Sequence, residues 1–415
     1  MSGEPAPQSE IKIAPPAKSG CIWRTLALVW KYLVGVILCG GLIPAVMVVG
    51  WSLRLVQRYT LSLWWEKSGR SGQFADFVGS QSELAHHAHW PNWFIRQNFS
   101  QTRTELGLFR SSLHSLWQNI RIGSLGIFNT WVLTAPSALL WIFAWYSGWD
   151  NSFNKGYEQF WVGPTTGWIG IVIYIAVMLY LPAAQARQAA TENWRAFYDF
   201  GLIRKIIKRR RLAFLVLAGL FSAVSLPTFL MRVAPSFFGL KFPAEMTDAE
   251  MFNWLQNYYM YCSFYVFPAY VFLRLAAGRI YANAMAELYE VGEVRYEELD
   301  EFERHLFREL ELPGEQVDDP GLVEQAKGCV GLLMRPGIVI LTCLLWFSFV
   351  AQIFVAQFVS FDPIVPWINQ SMIQIPAFEY VPSNLKGGVR GTEFPFMLAA
   401  FWIFTLMKSF FRKRD

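Results

Sequence analysis

The sequence predicts an all-α integral membrane protein, a polytopic helical bundle, and three observations predict it. Only 16% of the 415 residues are charged while 54% are apolar; soluble domains carry about 25% charged residues to cover their surface. The apolar residues gather in blocks of about twenty, the length that crosses a ~30 Å hydrocarbon core at ~1.5 Å per residue. Trp and Tyr collect at block ends, as at Trp51, Trp145, Trp149, Trp161, Trp168, Tyr258 and Tyr259, where an amphipathic ring sits at headgroup level. A peptide group left unpaired in lipid is costly, so blocks of this length close their hydrogen bonds internally, as helices.

The first block, Tyr32–Leu53, is broken at its middle by Gly40, Gly41 and Pro44. Both flanks are basic, with Arg24 and Lys31 before it and Arg54, Arg58, Lys67 and Arg70 after it. It is either a re-entrant hairpin or a spanning helix with an outside N-terminus, and the matching flanks favour the hairpin. Re-entrant backbone at this depth must be buried in protein.

Six further blocks follow: Gly123–Tyr146, Phe160–Pro182, Leu212–Met231, Tyr259–Ala277, Gly337–Val359 and Phe394–Phe411. They group as three helical hairpins. The connection Ala183–Arg211 holds eight Lys or Arg, whereas Ser147–Gln159 holds only Lys155. The tail beyond the last block adds Arg412, Lys413 and Arg414. The positive-inside rule therefore places Ala183–Arg211 and the C-terminus in the cytoplasm, and Ser147–Gln159, Arg232–Tyr258 and Ser360–Glu393 outside. Arg274 and Arg279, at the inner end of the fifth block, agree with this orientation. The first two hairpins share a proline in the opening helix (Pro136, Pro227) and an Ala-rich basic exit (Ala183–Arg187, Leu275–Arg279). Generic membrane-helix composition explains this; a duplicated transporter-type hairpin is the alternative.

The chain divides into a Pro-, Ser- and Gly-rich tail over 1–20, read as disordered rather than as a cleaved leader, and a membrane segment with an aromatic and basic region over 21–122. A helical core covers 123–286, an acidic segment 287–336, and a last membrane hairpin 337–415. Trp64, Trp65, Trp90, Trp93, Phe94 and Phe99 let the stretch Arg54–Arg121 fold against the membrane face.

Two connections stand out by charge. Ala183–Arg211 reads as a helix in the headgroup layer, its apolar side down. Arg204, Lys205, Lys208, Arg209, Arg210 and Arg211 would there meet lipid headgroups or the acidic segment. Glu287–Glu324 carries fourteen acidic and three basic residues. Its Tyr296, Leu299, Phe302, Leu306 and Leu310 recur at the spacing of one helical face. That face is expected to pack on the protein's own cytoplasmic side, its carboxylates toward Arg204–Arg211.

The search for chemistry yields little. His86, His87 and His89 form a candidate site for Zn²⁺, Ni²⁺ or Cu²⁺. Neighbouring side chains on one helix diverge, however, so an interfacial polar loop is the simpler reading. The five cysteines (Cys21, Cys39, Cys262, Cys329, Cys343) have no CxxC spacing and read as small apolar residues. No phosphate-binding loop, dinucleotide turn, HExxH or nucleophile elbow occurs, so no catalytic residue and no cofactor is expected. No Asp or Glu lies in any apolar block, which lowers a proton- or sodium-coupled reading. Asn129, Thr130, Thr134, Ser222, Ser225, Gln352 and Gln357 are the polar groups at depth, and hydrogen bonds between helices explain them. Trp149, Asp150, Asn154, Tyr157 and Glu158, in one connection, read as interface anchors.

Gly40-Gly41, then Gly50-Trp51-Ser52-Leu53-Arg54, then Pro91-Asn92-Trp93, together with the Ala- and Arg-rich exit in Leu181–Phe200, resemble a prokaryotic membrane family known only as a domain of unknown function. The similarity covers about residues 35–285, with a long insert between Arg58 and Pro91. The resemblance implies a prokaryotic inner membrane and carries no activity. The expected function is a non-enzymatic inner-membrane scaffold or accessory subunit, in contact with the bilayer and offering its cytoplasmic face to a protein partner. Nucleic acid is not expected as a partner, since the net charge is only +5. The alternative is a small-solute transporter or channel built from repeated hairpins.

Overall fold

The computed structural model of the chain describes residues 21–80, 93–94, 99–144, 161–238, 247–312, 322–360 and 369–376. These form α1 (Cys21–Cys39), α2 (Leu42–Lys67), α3 (Phe74–Ser80), α4 (Phe99–Ala144), α5 (Val162–Thr191), α6 (Phe200–Arg209), α7 (Arg211–Phe238), α8 (Asp248–Glu290), α9 (Glu301–Glu309) and α10 (Leu322–Ser360). Among the described residues there is no strand. The fold is an all-α polytopic bundle.

Five stretches are long and apolar enough to cross a membrane: Ser112–Ala144, Val162–Thr191, Arg211–Pro235, Ala249–Glu290 and Arg335–Ala356. They carry the second to sixth apolar blocks, while Phe394–Phe411 lies outside the described residues. Large apolar side chains such as Leu139, Val172, Val216, Leu230 and Ile340 are exposed on them, as lipid-facing side chains are.

The first block is two helices, joined at Gly40-Gly41. Tyr32 of α1 donates to the carbonyl of Phe264 at 2.8 Å, whereas Gly40 sits against Met260, where a Cβ would lie 2.8 Å from the methyl carbon. Thus α1 runs opposite to α8. On α2, Trp51 packs by Phe267 with ring centroids 6.1 Å apart, and Trp64 donates to the carbonyl of Ala282 at 2.9 Å, so α2 runs with α8. The two helices are therefore antiparallel, and the glycine pair is the tip of a hairpin. Single spanning passage of Tyr32–Leu53 does not fit these contacts.

Small residues set the remaining crossings. Gly50 of α2 meets Gly123 of α4; a Cβ on either glycine would lie 2.9 Å from the other's backbone nitrogen. Gly170 of α5 admits Trp141 of α4, whose indole N–H donates to Gly167 at 3.3 Å. Close backbone approach of this kind is how helices associate where lipid removes the hydrophobic drive. The helices α7 and α10 are stitched by polar groups instead. Ser222 donates to Leu345 at 2.5 Å, Ser225 donates to Gln352 at 2.6 Å, and Gln352 donates back to the carbonyl of Ser222 at 3.0 Å.

At the basic end the fold departs from a helix lying in the headgroups. Ala183–Thr191 continues α5 and is wholly buried, because its five Ala residues, from Ala183 to Ala190, leave room for neighbouring helices. A 3-10 turn, Trp194–Tyr198, leads into α6, capped by Asp199, which accepts from Leu202 N at 3.1 Å. Only Phe200–Arg209 is amphipathic in the expected sense. Its Leu202, Ile203 and Ile206 join the protein core and do not point into lipid.

Candidate functional site

One buried polar cluster is built around a piece of irregular chain. Residues 369–376, expected in an outside connection, are instead embedded in the bundle: Gln370, Ser371, Met372, Ile373 and Gln374 are all buried. The segment makes a tight turn, with Gln370 O accepting from Ile373 N at 2.9 Å and from Gln374 N at 2.8 Å. Two of its own side chains close it. Gln374 Oε1 accepts from Gln370 N at 3.0 Å, and Asn369 Oδ1 accepts from Ile375 N at 3.1 Å.

Three helices hold the Ile373–Gln374 end of the turn. From α5, Gln185 donates to Ile373 O at 3.2 Å and to Thr130 Oγ1 at 2.8 Å. From α8, Arg274 donates to Ile373 O at 2.8 Å and to the Tyr270 hydroxyl at 2.8 Å, and Tyr270 donates to Gln374 O at 3.1 Å. Tyr270 and Arg274 stand four residues apart and so share a helix face; the guanidinium carbon lies 4.9 Å from the ring centroid. From α4, Thr134 accepts from Gln374 Nε2 at 2.8 Å. Irregular backbone at membrane depth survives only when its peptide groups are bonded in this way.

Arg274 faces the bundle interior. It is only 7% exposed. Its Nε has no hydrogen-bond partner, and no carboxylate pairs with it among the described residues. On the other side of the turn a cavity of about 40 Å³ is lined by Ser225, Thr228, Arg232, Gln352, Gln370 and Ser371 among its polar residues. Arg232 lies 3.4 Å from Ser371 Oγ, and the buried Thr228 Oγ1 has no partner among the described residues. The cavity is large enough for a water-sized guest.

A second cluster ties the acidic segment to the bundle. Arg187, inside the buried part of α5, lies 2.5 Å from Asp199 and 3.5 Å from Glu303. Glu303 also accepts from Asp300 N at 2.9 Å, completing a capping box, and from the Tyr281 hydroxyl. Asn193 donates to Asp300 at 2.7 Å. The apolar face of the acidic segment is covered: Leu299, Leu306, Phe307 and Leu310 are buried, with Phe307 edge-on to Trp64 at 4.9 Å.

Of the six basic candidates, Lys205 lies 2.7 Å from Glu298, Arg209 lies 3.6 Å from Glu287, and Arg210 pairs with Glu287. Arg204 and Lys208 are exposed, and Arg211 is half-buried. His86, His87 and His89 lie outside the described residues, as does Trp149–Glu158. Among the described residues no group of three His, Cys, Asp or Glu could hold a metal ion. Cys39 and Cys262 are buried free thiols.

The residues behind the family resemblance meet in space. Trp51 stacks on Trp93 at 4.4 Å, Arg54 bonds Asn119, and Asn119 donates to the carbonyl of Trp93 at 2.9 Å. Comparison of the chain with protein-family models, curated proteins and solved structures finds no match.

Proposed function

We infer that the chain is a transporter or channel for a small solute in a prokaryotic inner membrane, seen with its route closed. One observation carries this: the turn at 369–376 is buried at the polar centre of the bundle, between Arg274 and the cavity beside Arg232. A structural loop gains nothing from entering the membrane domain, where each of its peptide groups must find a new partner. In channels and transporters, backbone segments of this kind form the solute and ion sites. The basic flanks of the hairpin and the run Arg204–Arg211 put the α6 end in the cytoplasm under the positive-inside rule.

The scaffold reading, motivated by the charged cytoplasmic segments, is the alternative. The apolar faces of α6 and α9 pack into the protein's own core, as expected for the acidic segment, and so offer no apolar surface to a partner.

The test is solute flux through purified full-length protein in liposomes. Gln374→Ala removes one side-chain tether and one internal brace of the turn, and Tyr270→Phe removes another tether. The double variant is expected to pass small solutes faster than the unaltered chain. Vesicles that remain as tight as protein-free ones with either protein would reject the assignment.

A further inference from the structure

The polar centre also indicates what kind of solute passes. Arginine keeps its proton at any physiological pH, so Arg274 is a fixed positive charge. It is buried, yet its partners are a carbonyl oxygen, a hydroxyl and an aromatic ring, each supplying only partial negative charge. Among the described residues its Nε–H has no acceptor and its guanidinium no carboxylate partner. A buried charge without a counter-ion is expensive and is normally avoided. Inside a membrane bundle such a residue is functional by default. The apolar blocks contain no Asp or Glu to neutralise it.

The partner that Arg274 does have is informative. Ile373 O presents a partial negative charge 2.8 Å from the guanidinium, at the end of a turn whose other face borders the cavity containing Ser225, Thr228 and Ser371. A guanidinium is a donor that can replace part of an anion's hydration shell.

We propose that the solute is a small anion, that Arg274 carries its charge, and that the Ile373 carbonyl occupies the anion's place while the route is closed. This rests on the transport reading above. It adds selectivity by charge, and it makes the turn a tethered competitor for the same guanidinium.

The experiment uses full-length protein in liposomes with labelled chloride, nitrate, rubidium and glycerol as probes, for the unaltered chain, Arg274→Gln, Arg274→Lys and Gln374→Ala. Chloride or nitrate is expected to enter faster than rubidium or glycerol, and fastest in Gln374→Ala. Arg274→Gln is expected to cut anion entry by about tenfold or more, the scale of one charge-assisted hydrogen bond, while Arg274→Lys keeps the preference for anions. Anion entry unchanged in Arg274→Gln overturns the inference. Entry of glycerol or rubidium in preference to both anions also overturns it but leaves the transport reading standing. If no probe enters through any variant, the transport reading itself fails. Should both Arg274 variants misfold, the ranking of the four probes on the unaltered chain decides.

Discussion

The carboxylate of Glu303 lies 3.5 Å from the guanidinium of Arg187, and both side chains are almost completely withdrawn from solvent, at 0% and 3%. Glu303 sits in the first turn of α9 and also caps that helix, so one carboxylate fastens the acidic segment to α5 and to α8 through Tyr281. Removing one partner of a buried pair costs about 3–5 kcal/mol when the other charge is stranded. Asp199 remains beside Arg187, so Glu303→Ala is expected to cost about 2–3 kcal/mol, with Glu303→Gln milder because it keeps a hydrogen-bonding acceptor. Thermal unfolding in detergent checks this; equal melting temperatures for Glu303→Ala and the unaltered chain would contradict it.

The crossing of α2 and α4 has no room for a methyl group at Gly50 or Gly123. The obstacle is backbone on both sides, which cannot rotate away. Overpacking of this kind costs about 1–3 kcal/mol, so Gly50→Ala and Gly123→Ala should each lower stability by about that amount. Gly69, which has open space around it, is no control because its φ is +65°. Gly337→Ala, open and helical, should leave stability within about 0.5 kcal/mol.

The antiparallel course of α1 and α2 predicts topology. An epitope at the N-terminus and a cysteine at Ser71 should be reached from the same side of a sealed vesicle. Labelling from opposite sides would require α1 and α2 to form one continuous span.

The pairs between α6 and the acidic stretch are half-exposed and individually weak, on the scale of about 0–1 kcal/mol. Arg210, which bonds Glu287 through two nitrogens, is the most favourable of them. Arg210→Glu should destabilise by about 1–2 kcal/mol through repulsion, and adding Glu287→Arg should restore much of the loss in a double-mutant cycle. If the second change restores nothing, the pair does not contribute.

Hydropathy made the membrane spans legible, because a helix in lipid must be long and apolar whatever surrounds it. The 3–4 spacing of Leu299, Phe302, Leu306 and Leu310 made α9 legible too, since a capped amphipathic helix is a local object. The polar centre was not legible. Asn369–Gln374 is short and polar, and nothing in Asn-Gln-Ser-Met-Ile-Gln distinguishes a surface loop from a turn whose peptide groups are bonded by distant helices. Arg274 and Arg187 looked like residues marking the inner ends of spans. Their burial comes from partners 99 residues away at Ile373 and 116 away at Glu303, which no local pattern encodes. Gln185 stood in an Ala-rich stretch that resembled a helix exit, and only the packing turns it inward.

The most direct test of the closed route is the reactivity of a cysteine placed at Ile373 in a chain otherwise free of cysteine, probed with a membrane-impermeant maleimide. Ile373 is 1% exposed, so the thiol should react slowly in the resting protein and much faster when Gln374→Ala and Tyr270→Phe loosen the turn. Rapid labelling at rest, equal with and without those changes, would mean that the turn does not occupy the polar centre and that no route is closed there.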